Sequence, residues 1–160
     1  METNVACLSE YEIERGKPMP SKLHAFVQLR IGYLMMKNYE KQFSVFSELS
    51  LELPLGTVIP DIAIYPPMVI DFFHDEIRMS EPPLCAVEIL SPTQAIQELV
   101  ERAPKYFNGG GQSFLVVGPP FKTIFVFCDA ETYATFADQA ILHDKKIGIE
   151  LPLAEIFPVA

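Results

Sequence analysis

The sequence predicts an α/β domain, a mixed central β-sheet flanked by α-helices. Three observations carry that expectation. The run 84–90 (LCAVEIL) is nearly all apolar, as an internal strand covered on both faces must be. Before it, 43–65 alternates like a hairpin; after it comes a helical stretch stopped by Gly109, Gly110 and Gly111. The chain then returns to short β-rich segments, FLVV and TIFVF. With 160 residues, 49% hydrophobic and 21% charged, the chain fits one domain over 1–160 and can fill one core.

The elements follow in order. Segment 11–20 (YEIERGKPMP) reads as a short strand and a turn at Gly16. Ser21 is placed as the N-cap of a helix over 22–38, with Leu23, Phe26, Val27 and Leu34 on its apolar face. Over 43–53, Phe43, Val45, Leu49, Leu51 and Leu53 alternate with Ser44, Glu48, Ser50 and Glu52. A turn at Pro54–Gly56 leads into a second strand, 57–65. Segment 66–83 carries Pro66, Pro67, Pro82 and Pro83 around an acidic centre, DFFHDE, and reads as a surface excursion.

In 84–90, Cys85, Val87 and Ile89 share one face, and Ala86, Glu88 and Leu90 the other. Ser91-Pro92-Thr93 breaks that strand and opens a helix over 94–108. Strands at 114–117, 123–127, about 131–137 and 147–151 and a last helical turn, LAEIF, complete the chain. Strands 43–53, 57–65 and 84–90 should be neighbours in one sheet, with helices 22–38 and 94–108 packed against it.

Composition narrows the function classes. Twelve Lys and Arg against twenty-one Asp and Glu leave a net charge of -9. Such a chain is not built for broad attraction to phosphate backbones, so contact with nucleic acid needs a local basic patch, a bound cation or a partner. Three cysteines without a CxxC pair exclude a disulfide framework and a zinc ribbon. Cys85 and Cys128 read as small buried hydrophobes. No apolar run reaches the ~18–20 residues of a membrane span. The start, Met1 to Glu10, lacks the pattern of a signal peptide, so a soluble cytoplasmic protein is expected.

The residues best suited to chemistry are Asp61, just after Pro60, and Glu88, inside the apolar strand. A carboxylate there is costly unless its charge is compensated. Two readings stay open: a divalent cation, Mg²⁺ or Mn²⁺, held by both carboxylates, or a structural Arg or Lys paired with Glu88. On the following helix, Glu98, Glu101, Arg102 and Lys105 read either as solvated i,i+4 pairs or as a face supplying a cation above the carboxylates. His24 reads as a surface or satisfied histidine, and Asp71, His74 and Asp75 as a solvated loop. Glu48 lies on the polar face of its strand, and a second reading has it reach the same cleft as Asp61. Met35 and Met36 read as core filler, and the glycine triplet, with no Lys-Ser/Thr after it, is a helix stop.

The stretches YEIERGKPMPSKLHAF, VIPDIAIY, CAVEILSPTQ, KYFNGGG and FLVVGPP together resemble the Uma-two family of restriction-endonuclease-like proteins, a branch of the PD-(D/E)XK nuclease superfamily. The resemblance runs from Tyr11 to Phe157 and matches Tyr11, Glu12, Gly16, His24, Pro60, Asp61, Glu88, Ser91, Pro92 and Tyr106 to the family pattern. It implies a restriction-endonuclease-like fold and a Mg²⁺- or Mn²⁺-dependent endonuclease acting on DNA as a homodimer. Asp61 and Glu88 would bind the metal, Glu12 would complete the acidic cluster, and Arg102 or Lys105 would serve the scissile phosphate. The chain departs from the pattern where it has Leu90 in place of the superfamily's Lys. It departs again at Glu98 for Asp, Arg102 for Lys and Phe114 for Trp, at Pro104 inside the helix, and where an Asp is missing around Val117-Gly118. Those departures imply the alternative, a catalytically decayed nuclease fold serving as a binding or regulatory module.

Overall fold

A strand needs an uninterrupted ladder of backbone donors, and the 43–65 hairpin loses its ladder at one place. Pro60 has no N–H to give, and Glu48, across from the adjoining Asp61, turns into the left-handed region at φ 53. In the computed structural model each expected strand is therefore two. β1 (Ser44–Ser47) and β2 (Ser50–Leu53) replace 43–53; β3 (Gly56–Val58) and β4 (Ile62–Tyr65) replace 57–65. β1 pairs with β4 and β2 with β3, both antiparallel, so the hairpin survives with a kink through its middle. The kink also changes which core each half faces: Val45 packs in one cluster, Leu51 and Leu53 in the other. The single apolar face expected for 43–53 is thereby corrected.

The structure describes residues 10–159; Cys7, the start of the chain and the side chains of Tyr11 and Glu14 lie outside that description. Where a strand was expected, α1 (Glu10–Arg15) is a helix. Its first-turn Glu10 and Glu12 and last-turn Arg15 complement the helix dipole, and Gly16 ends it at φ 70. α2 (Lys22–Tyr39) begins at the predicted cap, where Ser21 Oγ accepts from the His24 N–H at 3.2 Å. Its inner face buries His24, Val27, Ile31, Leu34 and Met35, whereas Met36 is exposed and not core.

The main sheet has six strands in the order β1-β4-β6-β7-β8-β9, adding β6 (Cys85–Ile89), β7 (Ser113–Gly118), β8 (Thr123–Phe127) and β9 (Tyr133–Ala137). β6 is internal, as its two-sided apolarity requires. It runs parallel to β7, and every other pair in this sheet is antiparallel. β2 and β3 leave the main sheet for a three-stranded one, β3-β2-β5, with β5 (Arg78–Met79) drawn from the 66–83 excursion. The rest of that excursion is on the surface, with Val69, Phe72, Phe73 and Ile77 exposed. An unforeseen strand, β10 (Ile141–Asp144), pairs with β11 (Ile149–Pro152) ahead of α5 (Leu153–Ile156).

The β6–β7 crossover is two short helices, not the single one expected: α3 (Ile96–Val100) and α4 (Ala103–Asn108). Pro104 causes the break. It falls in the first turn of α4, where a missing N–H leaves no helical hydrogen bond unmade. Arg102 is the residue at the joint. One core cluster lies under α2 and the other under α3 and α4. Cys85 is buried, but Cys128 is exposed, because β8 ends at Phe127 and the Cys128 N–H closes a turn to the Thr132 carbonyl. Among the described residues, no helix is long and apolar enough to cross a membrane.

Candidate active site

β4 and β6 pair with Ile62 opposite Val87, so Asp61 stands one step further along, beside Glu88. Both carboxylates point to the α3–α4 side of the sheet and are fully shielded from solvent. Asp61 Oδ2 accepts the Ile89 N–H at 2.6 Å. The other oxygens meet a cation from outside the sheet. Lys17 Nζ lies 2.6 Å from Asp61 Oδ1 and 2.7 Å from Glu88 Oε2.

Lys17 belongs to an extended arm, 16–20, that joins α1 to α2 and crosses the site. Several contacts fix it. Arg15 donates to both Glu48 oxygens at 2.8 and 2.9 Å, to Asp61 Oδ1 at 2.6 Å and to the Pro18 carbonyl at 2.6 Å. From the opposite side, Arg102 donates to Glu88 Oε1 at 3.0 Å and to the Gly16 carbonyl at 2.7 Å. Tyr106 adds a 2.8 Å hydrogen bond to the same Glu88 oxygen. Gln28, on α2, donates to the Asp61 carbonyl at 2.9 Å. His24 Nε2 lies 3.2 Å from Asp61 Oδ2, off the line that a hydrogen bond requires.

This environment sets the protonation states. Burial pushes the Asp61 carboxyl up, but the His24 ring and the Lys17 ammonium outweigh it, and the group titrates at about 2. Burial and the Glu88 charge push the Tyr106 hydroxyl well up, so it remains a donor. Burial works against the Arg102 charge, and the Glu88 carboxylate more than restores it.

Arg15, Lys17 and Arg102 thus face Glu48, Asp61 and Glu88, and their formal charges cancel. For a divalent cation the donor set is half suitable. Asp61 Oδ1 and Glu88 Oε2 converge on one cation, with the ammonium as its stand-in, but that ammonium and a divalent ion cannot share the position. Among the described residues, no three of His, Cys, Asp and Glu are grouped to hold a metal without it.

Of the residues singled out in the sequence, Asp61, Glu88, Arg102 and Tyr106 come together, Glu48 joins them through Arg15, and His24, expected as a surface or satisfied histidine, is buried against Asp61. Arg102 turns inward to Glu88 and leaves Glu98 exposed. Glu12 lies on α1 and accepts from the Met19 N–H at 3.3 Å, a tie within the arm. Lys105 projects to the outer hairpin, its Nζ 4.0 Å from where a Cβ on Gly56 would stand. Asp71 and His74 pair with each other at 2.8 Å on the exposed excursion. Sequence reasoning missed Lys17 and Arg15. The available signal was the unmet need of Glu88 for a cation, together with Gly16-Lys17-Pro18, a lone basic residue stiffened by proline just before the α2 cap. Beside His24 a recess of about 120 Å³ is lined by Ser91, Gln94 and Pro119, with Ser91 Oγ and Gln94 Nε2 unpartnered among the described residues.

No curated protein matches the chain. Among solved structures, it is similar to one described as a "putative nuclease belonging to DUF820" from Anabaena variabilis. The two share 19% identity and a TM-score of 0.76, covering 88% of this chain and 83% of that one, a likeness that establishes the fold. The family described as "Putative restriction endonuclease" matches residues 8–154, nearly the whole chain. By that match, the chain belongs to the Uma2 family.

Proposed function

We propose that the protein is a divalent-cation-dependent endonuclease that hydrolyses DNA phosphodiester bonds, with Asp61 and Glu88 holding Mg²⁺ or Mn²⁺. The observation that carries this is the convergence of Asp61 Oδ1 and Glu88 Oε2 on a single cation position, 2.6 and 2.7 Å from Lys17 Nζ. When bound, the metal supplies a water of lowered pKa and offsets charge developing on phosphorus. The chain's own residues do the rest. Asp61, ionised down to a pH of about 2, presents a carboxylate under all physiological conditions. Tyr106 and Arg102 hold Glu88 by its other oxygen and leave Oε2 directed at the shared point. Arg102, 12% exposed at its side chain, is the cation best placed to face a phosphate.

A second reading, a non-catalytic binding module on the same fold, is favoured by the cancelled charges around Lys17. Nicking of supercoiled plasmid separates the two. The endonuclease reading expects Mn²⁺-dependent nicking that disappears in Glu88→Ala. In Arg102→Ala, nicking should fall far more than Mn²⁺ affinity does. Wild-type protein that cleaves no supercoiled, linear or single-stranded DNA with either metal would leave the binding module.

A further inference from the structure

Resting on the metal reading above, we infer that Lys17 is a built-in competitor for the metal position, and that a divalent cation enters only as the 16–20 arm releases the Lys17 ammonium. Three observations support this. The ammonium is fully buried and touches one oxygen from each carboxylate, the same two oxygens that a bridging cation needs. The other carboxylate oxygens already serve protein donors, Asp61 Oδ2 the Ile89 N–H and Glu88 Oε1 both Arg102 and Tyr106, while Asp61 Oδ1 is shared between Lys17 and Arg15 Nη2 at 2.6 Å. An incoming ion therefore has no alternative pair to use. A divalent ion beside a retained ammonium would meet full like-charge repulsion in a site closed to solvent, so one must leave.

The arm is built so that Lys17 can leave without unfolding the sheet. It lies outside the three sheets and is joined to the body by side-chain contacts of Arg15, Lys17 and Arg102, with Gly16 at φ 70 on one side and the Ser21 cap of α2 on the other. Pro18 and Pro20 lack N–H groups, so this stretch has few backbone hydrogen bonds to break. Access to the carboxylates and access to the metal position are then the same event, because the group that shields them is the group that fills it.

Calorimetric titration with Mn²⁺ alone tests the idea on wild type, Lys17→Met, Glu88→Gln and the double variant. Weak binding by wild type is expected, with a gain of about tenfold or more in Lys17→Met, the change that 1.4 kcal/mol carries. That gain should vanish in the double variant. Equal affinity in wild type and Lys17→Met, lost in Glu88→Gln, would leave the metal site standing and overturn the competition. Binding by neither wild type nor Lys17→Met would overturn the metal reading itself, and the competition with it. Hydrogen exchange on the unmodified protein gives a test that needs no variant. Saturating Mn²⁺ should speed exchange of the Gly16, Lys17 and Met19 amides, and Mn²⁺ binding with those rates unchanged would refute arm release.

Discussion

Lys17→Met should destabilise the fold by about 3 kcal/mol. Removing one member of a buried ion pair costs roughly 3–5 kcal/mol, because the partner charge is left without its counterion. Here the lower end applies. Asp61 keeps Arg15 Nη2 at 2.6 Å and the Ile89 N–H at 2.6 Å. Glu88 keeps Arg102 at 3.0 Å and Tyr106 at 2.8 Å. Methionine also fills most of the volume that the lysine stem occupied, so little cavity term is added. For a domain of this size each kcal/mol moves the midpoint by about 2–4 °C, so the melting temperature should drop by about 6–12 °C. Urea denaturation followed by circular dichroism measures the free energy directly, with the m-value unchanged if only stability has altered. Adding Glu88→Gln removes the carboxylate that Lys17 served, and the double-mutant coupling should fall within about 0.5–3 kcal/mol. A loss below about 1 kcal/mol, the worth of an exposed pair, would refute a buried ammonium between these carboxylates.

The remaining expectations concern the same cluster. Asp61 titrates at about 2 in the folded chain against 3.8 when free, so the unfolded chain binds its proton more readily. The resulting stabilisation, about 2 kcal/mol, is fully present above pH ~4 and fades as pH falls toward 2. Urea midpoints across that window should show it, and Asp61→Asn should flatten the slope; an equal slope in the variant would discount Asp61. Tyr106→Phe removes one donor from a buried carboxylate oxygen and should cost about 1.5–3 kcal/mol of stability in thermal or urea unfolding. A neutral Tyr106→Phe would show that Arg102 alone satisfies that oxygen.

The central place of β6 could be read from hydrophobic pattern, because a strand buried on both faces has few alternatives. The α2 cap was equally plain, since Ser21 satisfies a specific backbone donor. What the pattern could not show was the kink through the hairpin. Alternation persists across Glu48 and Pro60, and only the missing Pro60 N–H and a left-handed Glu48 divide the residues between two cores. Pro104 was visible, but its effect was not. It resolves the expected helix into two and places Arg102 at the joint, from which it turns to Glu88. Asp61 and Glu88 were legible as carboxylates in need of a cation. Lys17 was not, because it lies 44 and 71 residues from its partners, and no local period records a contact of that range.

That separation also fixes when the arm docks as the chain folds. Lys17 can bind only a carboxylate pair that already exists, and the pair exists only once β4 and β6 have zipped together. Closing loops of 44, 71 and, for the Arg102–Gly16 contact, 86 residues pays its entropy before any reward arrives. These contacts are therefore expected to form after the rate-limiting barrier and to break before it on the way out. Changes at Arg15 or Lys17 will appear almost wholly in the unfolding rate, with the folding rate unmoved. Arg15 and Lys17 thus act as a late-fitted clasp on carboxylates already in place, one that lengthens the lifetime of the native state and leaves the route to it unchanged.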